Sequence, residues 1–154
     1  MTGATQPPGT PDPRGYYEAV AKHAGGVAVL AYHFPSVSPP GIPVEALADL
    51  PVDGCKDSSG DAQRLLLTAT TWARPLYTGS SALLSLAGPL GCAGAILALA
   101  NAEPERCVAA FGGDTEAQRG LAPSHFAAQA SFPGGIKGLT ARRFGTSTVR
   151  RMGA

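Results

Sequence analysis

The stretch Val52-Asp53-Gly54-Cys55-Lys56-Asp57-Ser58-Ser59-Gly60-Asp61 changes character at Lys56. Before it, residues 50–55 read as a short strand of small or apolar side chains. After it come the serines, glycine and aspartate of a turn that opens a helix. A lysine at that junction points from a strand end toward whatever the neighbouring loops enclose. A primary amine held there, partly desolvated, can attack a carbonyl and form a Schiff base. For the residue taken alone, a solvated lysine in a loop between strand and helix is the other reading.

The same strand-then-helix alternation extends in both directions. Residues 15–24 carry Tyr16, Val20 and Ala24 at four-residue spacing, a helix ended by Gly25-Gly26. Residues 27–34 form a continuous apolar run of strand length, as expected of a strand covered on both faces. Pro43 stands at a plausible first helical position before 44–50. The Ser58-to-Asp61 turn caps a helix over 62–73, with Leu65, Leu66 and Ala69 expected on its inner face. A strand over 75–78 follows, then a helix over 81–90 closed by Gly91, a strand over 94–99, and a helix over 101–112 with Pro104 in its first turn. Four strands alternating with helices predict parallel pairing through right-handed crossovers. Beyond Gly113 the pattern is helical only: 114–130, interrupted near Pro123, and 136–143. Three parts result: a disordered Pro/Gly-rich lead-in over 1–13, four βα units over 14–113 and a helical extension over 114–154. Tyr32-His33, Lys56-Asp57-Ser58, Gly79-Ser80-Ser81 and Asn101 all fall at C-terminal strand ends. In closed βα barrels, and in open sheets, that is where sites are built.

At 154 residues the chain is about one domain's worth. A net charge of +1, with 15% charged residues, supplies no basic patch for nucleic acid, so a small-molecule partner is expected. The arginines near the end, Arg142, Arg143, Arg150 and Arg151, are too few for that role and suit surface ion pairs. Cys55, Cys92 and Cys107 make no C-x-x-C pair, which predicts buried free thiols in a reducing cytoplasm. His23, His33 and His125 lack zinc-ligand spacing with them. No run reaches the ~18 apolar residues of a membrane span, and the start lacks the form of a signal peptide.

Leu30-Ala31-Tyr32-His33-Phe34-Pro35 and Gly54-Cys55-Lys56-Asp57-Ser58-Ser59-Gly60-Asp61 resemble the tyrosine and lysine motifs of the dihydrodipicolinate synthase / N-acetylneuraminate lyase family. Tyr77-Thr78-Gly79-Ser80 and Gly91-Cys92-Ala93-Gly94-Ala95-Ile96, followed by Ala100-Asn101-Ala102-Glu103-Pro104-Glu105, are similar to its seventh and eighth strand regions. Phe132-Pro133 through Lys137, with Val149-Arg150, looks like its C-terminal helical extension. The resemblance implies class I pyruvate-type aldolase chemistry and an α/β fold: the C-terminal half of a (β/α)8 TIM barrel, about four parallel βα units, then a helical extension. It begins near Tyr16, at the helix before the family's fifth strand. The family's first four βα units and its Gly-Thr-Thr-Gly-Glu-like carboxylate loop have no counterpart here.

By the same resemblance Lys56 is the Schiff-base lysine and Tyr32, 24 residues earlier, the proton-relaying phenol on the neighbouring strand. Ile96 matches a position whose backbone carbonyl faces the imine, and Gly79 and Ser58 match pocket-lining positions. No cofactor is implied, because the covalent imine through Lys56 is itself the electron sink. Val37 stands where dihydrodipicolinate synthases carry a carboxylate-binding arginine, which argues against that particular reaction. Ser81-Ala82 and Leu97-Ala98 are too apolar for a polyol chain. A structural role is expected for His33. Two functions follow as expectations: a lyase or aldolase acting on pyruvate or another 2-oxo acid, or a truncated, catalytically inactive remnant or interaction module. A half-barrel would expose two sheet edges, predicting a homo-oligomer or a complementing N-terminal half.

Overall fold

A computed structural model describes residues 2–4 and 12–149. Its centre is a five-stranded parallel sheet in simple sequential order: β1 (Thr2–Ala4), β2 (Val29–His33), β3 (Gly54–Asp57), β4 (Leu76–Thr78) and β5 (Gly94–Ala95). The sequence predicts four of these strands. The fifth, β1, lies within the stretch read as a disordered lead-in, and it pairs Thr2 with Val29 and Ala4 with Ala31. The rest of that lead-in, before Asp12, lies outside the described residues.

Helices α1 (Arg14–His23), α2 (Ala62–Thr71), α3 (Leu84–Ala87) and α4 (Pro104–Phe111) alternate with the strands. Two further helices, α5 (Thr115–Ala130) and α6 (Gly134–Phe144), close the described chain. The α/β architecture therefore matches the expectation, with several local differences. Residues Glu45–Asp49 form a 3-10 turn rather than an α-helix. β3 starts at Gly54, so Lys56 lies within the strand and not after it. The strand expected over 94–99 has two ladder residues before the chain turns into a 3-10 segment at Leu99–Asn101. On α2, Leu65 and Thr68 are buried while Leu66 is 49% exposed, because the helix turns its 65/68 edge to the sheet. Asp61 caps that helix, accepting from the N–H groups of Gln63 and Arg64. Helix α5 runs unbroken through Pro123.

Two apolar clusters hold these layers. The first joins Tyr17, Val29, Ala31, Leu47, Cys55 and Leu65 between sheet and helices, and the second joins Leu84, Leu99, Cys107, Ala110 and Leu121. Where α3 meets α4 the backbones touch: a Cβ on Gly88 would fall 1.7 Å from the Phe111 carbonyl oxygen, so the contact admits no side chain. The lower ends of the strands are tied by polar groups. Asp53 accepts the Val29 N–H at 2.7 Å through its carboxylate and returns its own N–H to the Val29 carbonyl. The Arg74 guanidinium donates to the carbonyls of Leu50 and Val52. Among the described residues, no helix is long and apolar enough to cross a membrane.

Candidate active site

Parallel register aligns Tyr32, Lys56, Tyr77 and Gly94 in one row across β2 to β5. Alternation along each strand sends the preceding row, Ala31, Cys55 and Leu76, to the opposite, buried face. The following row, His33, Asp57 and Thr78, is buried as well. Lys56 therefore stands on the face turned away from the helical core, half-buried, with its Nζ 4.0 Å from the centroid of the Tyr32 ring. Such a cation–π contact steadies an ammonium group by about 0.5–2 kcal/mol. Tyr32 is placed from below: its N–H donates to the hydroxyl of the fully buried Tyr17 at 3.2 Å. Burial pushes the Tyr17 phenol up to about 12, which keeps it neutral. From above, Phe34 stacks on the Tyr32 ring with centroids 5.6 Å apart.

The ladder continues one residue beyond the strands. Ser58 N–H donates to the His33 carbonyl, Gly79 N–H to the Asp57 carbonyl and Ile96 N–H to the Thr78 carbonyl, at 2.6–2.9 Å. Ser58, Gly79 and Ile96 thus form a rung directly above Lys56. All five residues singled out from the sequence, Lys56, Tyr32, Ile96, Gly79 and Ser58, line one cavity of about 470 Å³ at the C-terminal strand ends. The Ser58 hydroxyl lies 3.5 Å from that of Tyr32. Gly79 has a packing reason to be glycine, since an added Cβ would lie 1.9 Å from Ser58 Oγ and 3.0 Å from Ser58 Cα. Gly79→Ala is expected to push the β3 and β4 tips apart and cost about 1–3 kcal/mol, read as a lowered urea midpoint.

His33 serves the scaffold. It is not part of the cavity lining; its Nδ1 accepts the Ile42 N–H at 2.9 Å and pins the far end of the loop over 34–42. Burial, and then the Arg64 charge, lower its pKa from 6.5 against the opposing pull of Asp57 and Asp61. The sign follows from the folded state preferring the neutral ring. Protons bind the unfolded chain first, so this contribution is complete above about pH 6.5 and is lost as pH falls below it. The urea midpoint should fall between about pH 7.5 and 5.5, and more steeply in the native chain than in His33→Gln.

Sequence reasoning missed a second polar group in the same cavity. Ser81, 8% exposed, places its hydroxyl 2.8 Å from Nδ1 of His125, which reaches in from α5. Gln118, also on α5, donates to the Ser81 carbonyl and accepts the Ser85 N–H. The signal was the α5 spacing of Gln118, Leu121, His125 and Ala128, which lie on one helix face but become informative only once that face is known to meet the segment after β4.

Parallel βα units with an amine, a phenol and a hydroxyl gathered at the C-terminal strand ends are the arrangement on which βα-barrel enzymes build their sites. Solved structures carry the assignment further. A candidate dihydrodipicolinate synthase from Thermus thermophilus is 32% identical over 84% of this chain and 49% of its own, with a TM-score of 0.69. A candidate dihydrodipicolinate synthetase from Pseudomonas aeruginosa is 28% identical over 80% of this chain and 48% of its own, at 0.66. A variant of 2-keto-3-deoxygluconate aldolase from Sulfolobus solfataricus shares the fold at 18% identity and a TM-score of 0.76, over 95% of this chain and 55% of its own. The first two matches relate the chain to the dihydrodipicolinate synthase family over the part of that fold it spans, and the third shares the fold alone. That part is about half the length of the solved relatives. No family model and no curated protein matches the chain.

Proposed function

We propose that the chain carries the Schiff-base half of a lyase or aldolase site acting on pyruvate or another 2-oxo acid. The observation that carries this reading is the Lys56 amine resting on the Tyr32 ring inside the strand-end cavity. Neutral Lys56 adds to the keto carbon, and with the uptake of one proton water leaves, giving an iminium. A base then takes the proton of the hydroxyl two carbons from the imine carbon, and the carbon–carbon bond between them breaks. Its electron pair flows into the iminium, an aldehyde departs, and an enamine remains. Protonation of the enamine carbon and hydrolysis return the amine and release the shorter 2-oxo acid. Tyr32, on the neighbouring strand, is suited to pass the proton between that hydroxyl and the Ser58 hydroxyl or solvent.

The electron sink is the imine itself, so the scheme asks for no metal or organic cofactor. The exposed Val37 supplies no guanidinium for a second carboxylate, which directs the reading away from dihydrodipicolinate synthesis. The test is reductive trapping: incubation with pyruvate, borohydride reduction and peptide mass spectrometry. An adduct on the Lys56 peptide is expected, and its absence would sink the proposal.

A further inference from the structure

We propose that His125 is a specificity-determining residue of the cavity, receiving a single hydroxyl group at the far end of a 2-oxo acid whose keto carbon lies at Lys56. This inference rests on the Schiff-base reading above and names the substrate class more closely. His125 comes from α5, outside the βα units that supply the other site residues, and four observations converge on it.

The ring is held in place. Nδ1 lies 2.8 Å from the buried Ser81 hydroxyl, and the Phe126 ring meets the imidazole edge-on at 5.3 Å. Gln118, two turns earlier on the same helix face, bonds the backbone of Ser81 and Ser85, so helix and loop are clamped together. The ring also retains one free function: among the described residues nothing else bonds it, which leaves Nε2 open. If Ser81 donates to Nδ1, Nε2 is an N–H donor; in the other tautomer it is an acceptor. A hydroxyl group satisfies either.

The rest of the lining limits what else can enter. Phe34, Leu97, Leu99, Phe132 and Ile136 present apolar surface that would strand additional hydroxyls. Of the other polar lining groups, Ser59 Oγ accepts the Asp61 N–H and Ser80 Oγ accepts the Ala82 N–H, which ties each hydroxyl to its own turn, and Ser36 and Gln129 are solvent-exposed. Among the described residues Lys56 is the one formally charged side chain of the lining, and the proposed imine uses it. A second carboxylate would therefore enter with no fixed counter-charge. Beyond the hydroxyl at which the carbon–carbon bond breaks, one hydroxyl on an otherwise apolar tail is what remains.

The test compares 2-oxohexanoate with its 5-hydroxy and 6-hydroxy derivatives on the full chain. Two signals are read: borohydride-trapped adduct on Lys56 against acid concentration, and the imidazole C–H resonance of His125, assigned by its loss in His125→Gln. At least one hydroxylated acid should half-saturate trapping at a concentration about fivefold lower than 2-oxohexanoate, the worth of one neutral hydrogen bond, and should move the His125 resonance. In His125→Gln and Ser81→Ala that ratio should collapse toward one. A merely structural role would weaken all three acids together and leave the ratio unchanged, which overturns the proposal. So does equal half-saturation of the three acids by the native chain. If pyruvate leaves no adduct on Lys56, the Schiff-base reading fails by itself, and the resonance still decides the role of His125: a shift with hydroxylated acids alone upholds it, and none overturns it.

Discussion

Lys56→Ala is expected to abolish borohydride trapping of pyruvate completely while leaving the fold intact. The side chain stands on the cavity face, half-buried, and contributes to neither apolar cluster. Its removal forfeits one cation–π contact, about 0.5–1 kcal/mol at a partly exposed site, so the thermal midpoint should move little. Lys56→Arg should be equally inactive, because a guanidinium stays protonated and has no lone pair to offer a carbonyl. The same digest provides an internal control. Lys22 lies on α1 and Lys137 on α6, where its ammonium donates to the Val149 carbonyl. Adduct appearing equally on those lysines would show indiscriminate surface chemistry and remove the basis for the proposed function.

Asp57→Ala is expected to be the most damaging single change to stability. Asp57 follows Lys56 in β3 but faces the opposite side, 4% exposed, where its carboxylate accepts the Arg64 Nε–H at 3.0 Å and the Ser59 N–H at 2.8 Å. The Arg64 side chain is itself only 13% exposed, and its Nη2 is buried without a partner. Deleting the carboxylate would leave a buried guanidinium uncompensated, at a cost of about 3–5 kcal/mol, read as a fall in the urea midpoint. The double variant Asp57→Ala/Arg64→Met should recover part of that loss, since it removes both charges together. A single-variant loss below about 1 kcal/mol would mean that water reaches the pair and that the ion pair does not organise the strand end.

Much of this was legible in the residues themselves. Apolar runs at 27–34 and 75–78, with turn chemistry at Ser58-Ser59-Gly60-Asp61, mark strands and a capped helix because burial and backbone conformation leave local traces. The gathering of Tyr32, Lys56, Ser58, Gly79 and Ile96 followed from each lying at the same end of a parallel strand. What stayed hidden is set by contacts between distant segments. β1 carries no apolar run, and its pairing is decided by the edge of β2. The short β5 ends after two residues because the chain turns down onto α4, and nothing in the composition of 94–99 announces it. His125 looked like any helix residue until α5 was seen to dock on the segment after β4.

The three cysteines have a consequence for observing how this molecule opens. All are free and buried, and burial pushes the thiols of Cys55 and Cys107 up to about 12 and about 11, with Cys92 shifted the same way. At neutral pH the folded chain therefore offers almost no thiolate to an alkylating reagent, and modification waits on exposure. Cys55 adjoins Lys56 in the sheet and belongs to the first cluster, whereas Cys107 belongs to the second. Following iodoacetamide uptake at each by mass spectrometry would time the breathing of the two layers separately. Matched rates would identify a single cooperative unit. Faster labelling of Cys107 would show that the helical layer, with His125 on it, comes and goes over a sheet that stays closed. The native sequence thus contains its own pair of clocks, one in each layer.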